Sequence, residues 1–262
     1  MRRRSGFDTC NFYQTMPPRF FCCNDIFIGQ TLELDLATEH HASRVLRLKP
    51  GNAVIVFNGK GGEFHARIEN IRKTSTTVIV GQFEAVERES PLTIEIAQAV
   101  CVNEKMDWII QKSIELGATS IQPLFTTRSI VRLSEERAIK RLRHWQKIII
   151  SACEQCCRNR IPIISPPLTL TDWLSCRKAD QPSHLNFMLS VNGDQRLKNL
   201  PEPSSNTSMT LTVGPEGGWT PEEEDILHQH GFIALKVGQR IMRTETAALA
   251  TLAAIQTYWG DF

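Results

Sequence analysis

The spacing of apolar residues changes near Pro91 and divides the chain into two regions. Before Pro91, apolar and β-branched residues recur in short runs that end at glycine, proline or asparagine, a pattern typical of strands joined by tight turns. The predicted strands are 31–36, 53–57, 63–71 and 76–83, and one helix is predicted at 39–48. This region, 16–90, is therefore predicted to form a small β-barrel, a fold that often binds oligonucleotides.

After Pro91, short apolar runs alternate with segments whose apolar residues recur at helical spacing. The predicted strands are 93–100, 121–125, 186–191, 210–213 and 234–237. The predicted helices are 105–116, a long helix that Ser134 caps and Pro162 ends, 221–230 and 246–259. Alternation of strands and helices predicts an α/β domain, 91–262, with a parallel sheet covered on both faces.

Composition agrees with a globular protein of one large or two ordinary domains. The chain has 262 residues, of which 41% are hydrophobic and 22% are charged. The longest charge-free apolar stretch near the C-terminus, 247–260, is shorter than the roughly 20 residues that a membrane-spanning helix needs. Four of the eight cysteines form two Cys-Cys dipeptides, which favours reduced thiols over a disulfide scaffold. We therefore expect a soluble, cytoplasmic protein.

Positive charge is concentrated between Arg128 and Arg160, although the formal net charge of the chain is only +2. This block contains nine lysines and arginines against three glutamates. Such a block suits binding to an acidic polymer such as RNA, and it also suits a helix face that is merely solvated. The sequence leaves both interpretations open.

The sequence predicts no metal site. Cys153 and Cys156 have the spacing of half a zinc or redox site, but both fall on the apolar face of the predicted long helix. No second pair of cysteine or histidine residues has matching spacing. His40 and His41 are adjacent, with neither a carboxylate nor a further histidine at ligand spacing, so packing or solvation is the expected role.

The segment Gly214-Pro-Glu-Gly-Gly218 joins a predicted strand to a helix, where α/β proteins bind ligands. It is not followed by the lysine of a phosphate-binding loop, and the helix begins with Thr220-Pro221 and three glutamates. Thr220 and Glu223 predict a capping box, and the glutamates occupy the positive end of the helix dipole. An anion is therefore disfavoured, and we expect a neutral or cationic ligand that the glycines allow to approach closely. The alternative is a turn required only for packing.

A second unusual segment, 237–246, leads from the last predicted strand into an alanine-rich helix. Ile241 and Met242 lie between Arg240 and Arg243. Two apolar residues at this point are suited to one wall of an apolar ligand slot. An ordinary connection whose apolar residues are buried is the alternative.

These two segments, Leu211-Thr-Val-Gly-Pro-Glu-Gly-Gly218 and Val237-Gly-Gln-Arg-Ile-Met-Arg-Thr-Glu-Thr-Ala247, resemble the signature loops of the SPOUT methyltransferases, and specifically of the RsmE-like enzymes. Further similarity lies at Met16-Pro-Pro-Arg-Phe20, 41–47, 105–117 and 151–160. The resemblance extends from Met16 to Tyr258. It departs from the family at Cys156-Cys157, where small residues such as Ser-Gly are usual.

The resemblance implies a PUA-like β-barrel domain at 16–90, followed at 91–262 by a SPOUT domain with a parallel sheet and a C-terminal trefoil knot. It implies a homodimer that binds S-adenosylmethionine in the knot and methylates N3 of a uridine in the 16S ribosomal RNA of the small subunit. The implied cofactor residues are Leu189, Ser190, Val213, Gly214, Pro215, Glu216, Gly217, Gly218, Val237, Gly238, Ile241, Met242, Arg243, Thr244, Thr246 and Ala247.

The candidate catalytic residues are Arg19, Arg243 and Glu216, and a structural role is the alternative for the last two. An arginine is suited to the negative charge that spreads onto the uracil oxygens when N3 loses its proton. The candidate RNA-binding residues are Arg19, Arg44, Arg47, Arg158 and Arg160. The competing hypotheses are a SPOUT enzyme that methylates another RNA position and a non-catalytic RNA-binding protein, and the intact glycines argue against the second.

Overall fold

The computed structural model describes residues 16–34, 48–72, 75–131, 134–177, 184–204 and 207–262. The chain separates into two compact units, of which the second comprises 59–61 and 86–262. The sequence pattern changes at Pro91, but residues 86–90 belong with the second unit because two of their carboxylates bind arginines there. Glu89 accepts hydrogen bonds from Arg158, and Glu87 accepts one from Arg160. The predicted helix at 39–48 and the pair His40-His41 lie almost entirely outside the described residues.

The first unit is a half-barrel with a mixed sheet. Its strands are β1 (Arg19–Phe21), β2 (Thr31–Leu34), β3 (Ala53–Phe57), β4 (Glu63–Ile71) and β5 (Thr76–Glu84). In the described residues they pair in the order β1-β3-β4-β5-β2. The pair β1–β3 is parallel and the others are antiparallel. Alternate residues of these strands, such as Val54 and Val56, point into one apolar core, as the period of two predicts.

The second unit is an α/β domain. Its strands are β6 (Thr93–Ala99), β7 (Ser120–Phe125), β8 (Ile163–Ile164), β9 (Leu168–Thr169), β10 (His184–Leu189), β11 (Ser208–Val213) and β12 (Ile233–Leu235). Its helices are α1 (Asn103–Glu115), α2 (Glu135–Cys156), α3 (Leu170–Cys176), α4 (Pro221–Gln229) and α5 (Thr244–Trp259), with one 3-10 turn at Leu197–Asn199. The strand order is β12-β10-β11-β6-β7-β8, with β9 also beside β7, and every pair is parallel.

Helices cover both faces of this sheet, as the sequence predicts. On one face Ile96 of β6 belongs to a core that includes Leu252 and Ile255 of α5. On the other face the next residue, Ala97, packs in a core with Trp173 of α3 and with α4. Successive residues of one strand thus meet different helices, which explains why these strands are apolar without alternation.

Several boundaries differ from the predicted ones. The strands β1, β8 and β9 and the helix α3 are not predicted, because runs of two to seven residues carry too little periodicity. Helix α2 ends at Cys156 rather than at Pro162, because Cys157 adopts a left-handed φ of 67° that terminates the helix. Helix α5 begins at Thr244 rather than at 246.

The described cysteines are all free thiols, and Cys153 is buried in the second unit. Burial raises the pKa of Cys153 to about 12, so this thiol is neutral and unreactive at physiological pH. Within the described ranges, no group of three or more histidine, cysteine or acidic residues is arranged to hold a metal ion. None of the described helices combines the length and the apolar character that crossing a membrane requires.

Candidate functional site

A cavity of about 1000 Å³ lies at the carboxyl ends of β10, β11 and β12 in the second unit. The two unusual sequence segments supply half of the residues that line it, so the structure brings them together. Of the residues predicted to hold a cofactor, Thr246 alone does not line this cavity. Thr246 is exposed in the first turn of α5, whereas Thr244 and Ala247 of the same helix line the cavity. Ile241 is 83% exposed, which excludes the alternative of a buried residue in an ordinary connection.

Buried hydrogen bonds hold the backbone around the cavity. The Thr244 hydroxyl donates to the Gly214 carbonyl at 2.6 Å and accepts from Gln98 Nε2 at 3.1 Å. The Trp219 indole N–H donates to the Leu189 carbonyl at 3.0 Å. These bonds connect β6, β10, β11 and the start of α5, so the protein's own hydrogen bonds hold this part of the wall.

The amino end of α4 is closed to anions, as the sequence predicts. Thr220 and Glu223 form the predicted capping box: Glu223 N donates to the Thr220 hydroxyl at 3.2 Å, and Thr220 N donates to Glu223 Oε2 at 2.9 Å. Glu223 Oε1 also accepts from Thr127 N at 2.7 Å. Because protein carboxylates already occupy the helix terminus, a phosphate at this position would be repelled.

The glycines of the loop 214–218 serve different purposes. A Cβ atom at Gly214 would lie 3.2 Å from the Trp219 ring, and one at Gly217 would lie 3.1 Å from Arg128 Cβ. These two glycines therefore make room for side chains of the protein itself. The sequence pattern instead predicts that they allow close approach of a ligand. Gly218 has a left-handed φ of 68°, which explains glycine at that position.

Arg128 also lines this cavity, although the sequence places it only in the basic block. Its Nη1 donates to the carbonyls of Gly217 and Trp219, at 2.9 and 2.8 Å. The guanidinium thus fixes the shape of the glycine loop. Arg128 follows the end of β7 by three residues. Its position just beyond the carboxyl end of a strand is the feature of the sequence that could have indicated a place in the site.

Two of the three candidate catalytic residues line the cavity. Arg243 is exposed and immediately precedes α5, and Glu216 accepts a hydrogen bond from Lys105 Nζ at 3.2 Å. Arg19 lies in the first unit with its side chain only 5% exposed, 2.6 Å from Glu63 Oε2 and against the Phe57 ring. This burial contradicts a role for Arg19 in contacting RNA, because the guanidinium is neutralised inside the half-barrel.

The other candidate RNA-binding residues differ in exposure. Arg158 is buried, and its guanidinium binds both carboxylate oxygens of Glu89 and the carbonyls of Ile114 and Ala118. The predicted RNA contact by Arg158 is therefore wrong, because its side chain is only 5% exposed and its guanidinium is bound by protein acceptors. Arg160 is exposed and paired with Glu87, so its contact with RNA stays a prediction. Arg44 and Arg47 lie outside the described residues.

Comparisons with known proteins agree with this architecture. Residues 88–256 match the RNA methyltransferase domain family, and 40–80 match the RNA methyltransferase PUA domain family. The chain is 34% identical over 244 residues to the ribosomal RNA small subunit methyltransferase E of Buchnera aphidicola from Schizaphis graminum, with 93% of this chain and 97% of that protein covered. The Bacillus subtilis protein of the same name is 31% identical over 223 residues, covering 82% and 86% of the two chains.

Two solved structures are similar over most of their length. The ribosomal RNA small subunit methyltransferase E from Neisseria gonorrhoeae, bound to S-adenosyl methionine, has a TM-score of 0.86 and 39% identity, covering 94% of this chain and 99% of that one. A putative methyltransferase from Legionella pneumophila, in complex with the same cofactor, has a TM-score of 0.88 and 37% identity with the same coverage. The predicted fold class, a PUA-like domain followed by a SPOUT-type α/β domain, is confirmed. The chain belongs to the ribosomal RNA small subunit methyltransferase E family of RNA methyltransferases.

Proposed function

We propose that this protein transfers a methyl group from S-adenosylmethionine to N3 of a uridine in the 16S ribosomal RNA of the small subunit. The observation that carries the proposal is the cavity bounded by the segments 213–219 and 235–244. Relatives at 37–39% identity contain S-adenosylmethionine in their solved structures. Relatives at 31–34% identity are named for small-subunit ribosomal RNA.

The residues of the cavity fit this cofactor. The volume of the cavity, about 1000 Å³, is at the upper end of the range for small-molecule sites. The cavity therefore has room for the cofactor and for part of the RNA that accepts the methyl group. The carboxylates of Glu216 and Glu224 line it, while the helix terminus beside them is closed to anions. Ile241 and Met242 add apolar surface. The lining also includes five lysines and arginines, so the cavity is not acidic overall, and we expect the sulfonium beside the two carboxylates and the apolar residues.

Bound S-adenosylmethionine would supply an electrophilic methyl group on its sulfonium. The protein must then hold the uracil and assist loss of the N3 proton, which leaves negative charge on the adjacent carbonyl oxygens. We assign Arg243 to that charge, because its guanidinium is exposed and lines the cavity. We assign Glu216 to the cofactor as well as to the acceptor, because its carboxylate lines the cavity. Orienting two bound reactants contributes about 7–11 kcal/mol in favourable cases, so positioning is a large part of the proposed catalysis.

We also propose that the protein is a cytoplasmic homodimer with a C-terminal trefoil knot. The support for a dimer is α5, whose small residues Ala250, Ala253 and Ala254 are exposed or half-buried. Light scattering is expected to give twice the chain mass of 29.7 kDa. A monomer that retains full methyltransferase activity would refute the dimer.

The test is to map methylated nucleotides in small-subunit RNA from cells with and without this gene, and to repeat the transfer with purified protein. We expect one N3-methyluridine that depends on the gene and on S-adenosylmethionine. Methylation at a ribose hydroxyl or at guanine N1 would instead support a SPOUT enzyme with another target. RNA binding without methyl transfer would support a non-catalytic protein.

A further inference from the structure

Three charged residues from separate elements meet at the wall of the cavity. Lys105 lies in the first turn of α1, and its Nζ is 3.2 Å from Glu216 Oε1 in the glycine loop and 4.0 Å from Glu245 Oε2 in α5. Their side chains are 27%, 23% and 17% exposed, respectively. A single ammonium group therefore joins the two loops that form the cavity to a helix that packs beside them.

Two carboxylates depend on this one ammonium. Glu245 Oε2 is inaccessible to solvent and accepts no hydrogen bond within the described part of the chain. Both carboxylates lie within 4.0 Å of Lys105 Nζ and are partly buried, so removal of the ammonium would leave two like charges near one another, where burial strengthens their repulsion.

The groups beneath the cluster add no compensating charge. Burial raises the pKa of the Cys101 thiol to about 12, and the nearby Glu216 carboxylate raises it further, so the thiol stays neutral. Cys101 donates to the Ala99 carbonyl, and Thr244 belongs to the same buried network through Gln98. Lys105 is the cation that the structure pairs with Glu216.

Given the proposed function, we infer that Lys105 is a positioning residue that sets the affinity for S-adenosylmethionine through Glu216. It holds the Glu216 carboxylate at the wall of the cavity and couples the glycine loop to the first turn of α5. On this inference Lys105, which lines the cavity, acts without contacting the cofactor. The alternative is direct contact between the ammonium and the carboxylate of the cofactor, and the two predict different results in a double-mutant cycle.

The first experiment measures S-adenosylmethionine binding by calorimetry for wild type, Lys105→Met and Lys105→Arg. We expect about a tenfold loss of affinity for Lys105→Met, within the range of typical coupling between sites, and recovery to within about threefold for Lys105→Arg. Lys112→Met is the matched control, because Lys112 lies on the same helix and pairs with Glu115 at 2.7 Å without lining the cavity. Its affinity should equal that of wild type.

The second experiment repeats Lys105→Met in a Glu216→Gln background. If Lys105 acts through Glu216, the tenfold effect falls below about twofold there, because the carboxylate to be held is no longer charged. A tenfold loss that persists in this background overturns the inference in favour of direct contact. Thermal unfolding of each variant checks the fold, and Lys105→Gln, which retains a hydrogen-bond donor, replaces Lys105→Met if the latter does not fold.

The outcomes separate this inference from the proposed function. If wild-type protein does not bind S-adenosylmethionine, the proposed function fails. If wild-type protein binds it and Lys105→Met binds equally well, only the role of Lys105 fails.

Discussion

Each end of the parallel sheet contains an arginine and a glutamate. At the amino ends these side chains bond to each other, whereas at the carboxyl ends they line a cavity. At the amino ends of the strands, Arg177 donates to Glu95 at 2.9 Å, to Asn186 at 2.8 Å and to Thr210 at 3.0 Å. Its guanidinium also lies 4.7 Å from the centre of the Trp173 ring. At the carboxyl ends, Arg243 and Glu216 instead line a cavity of about 1000 Å³.

The difference shows that the residue type alone does not identify a functional arginine. The Arg177 guanidinium donates its hydrogen bonds to protein acceptors and packs on an aromatic ring, so it stabilises the fold. Arg243 lies at the end of the sheet where α/β proteins bind ligands, with its side chain exposed. We therefore expect substitutions at the amino end to change stability and substitutions at the carboxyl end to change binding.

The largest expected effect is on stability at the amino end. Arg177→Met leaves the half-buried Glu95 carboxylate without its cation, and we expect the free energy of unfolding to fall by about 2–3 kcal/mol. Urea unfolding measures this change. Lys140→Met is the control, because Lys140 forms an exposed pair with Glu136 and should change stability by less than about 0.5 kcal/mol. Equal losses in the two variants would contradict the distinction between the ends of the sheet.

The next effect is on binding at the carboxyl end. A side chain at Gly217 must displace Arg128, so Gly217→Val should lower the affinity for S-adenosylmethionine at least tenfold, or about 1.4 kcal/mol, with the fold intact. Calorimetry measures the affinity. If displacement of Arg128 is the cause, Arg128→Met lowers the affinity similarly and the double variant is no worse than Gly217→Val alone. Unchanged affinity in folded Gly217→Val would refute a cofactor site at this loop.

A third substitution provides a stabilised background for these comparisons. Cys157 has a left-handed φ of 67°, which is unfavourable for a residue with a Cβ atom and is tolerated by glycine. Cys157→Gly should therefore raise the free energy of unfolding by about 1 kcal/mol. The hydrogen bond from Arg88 to the Cys157 carbonyl is retained, because it involves only the backbone of residue 157. A loss of stability would mean that the side chain of Cys157 contributes more than the backbone strain costs.

The smallest expected effect is a dependence of stability on pH at the amino end. Burial and the adjacent Arg177 guanidinium lower the pKa of His184 from 6.5, whereas the Glu95 carboxylate acts in the opposite direction. The folded state therefore favours the neutral ring, and this contribution to stability is present above pH 6.5. It is lost as the pH falls from that value through the lower pKa of the folded protein. Unfolding measured between about pH 7.5 and 5 should show a steeper loss for wild type than for His184→Gln, and parallel curves would contradict the assignment.

The sequence predicts the longer strands and the capping box well because the signals for both are local. The run Ala53–Phe57 contains three consecutive β-branched residues, and the capping residues Thr220 and Glu223 are three residues apart. The partners of the charged residues are not local. Arg158 meets Glu89 across 69 residues, and Lys105 meets Glu216 across 111. Sequence spacing cannot distinguish such a neutralised cation from one that binds RNA, which explains the wrong prediction for Arg158.

Hydrogen–deuterium exchange with and without S-adenosylmethionine tests the central claim most directly, because it locates the ligand along the chain. We expect the cofactor to slow exchange in the segments 213–219 and 235–244, which line the cavity. The amino ends of the strands, 184–186 and 208–210, should exchange at the same rate in both conditions. Protection confined to the amino ends, or no protection by saturating cofactor in either loop segment, would contradict the assignment of the cofactor site to the carboxyl end of the sheet.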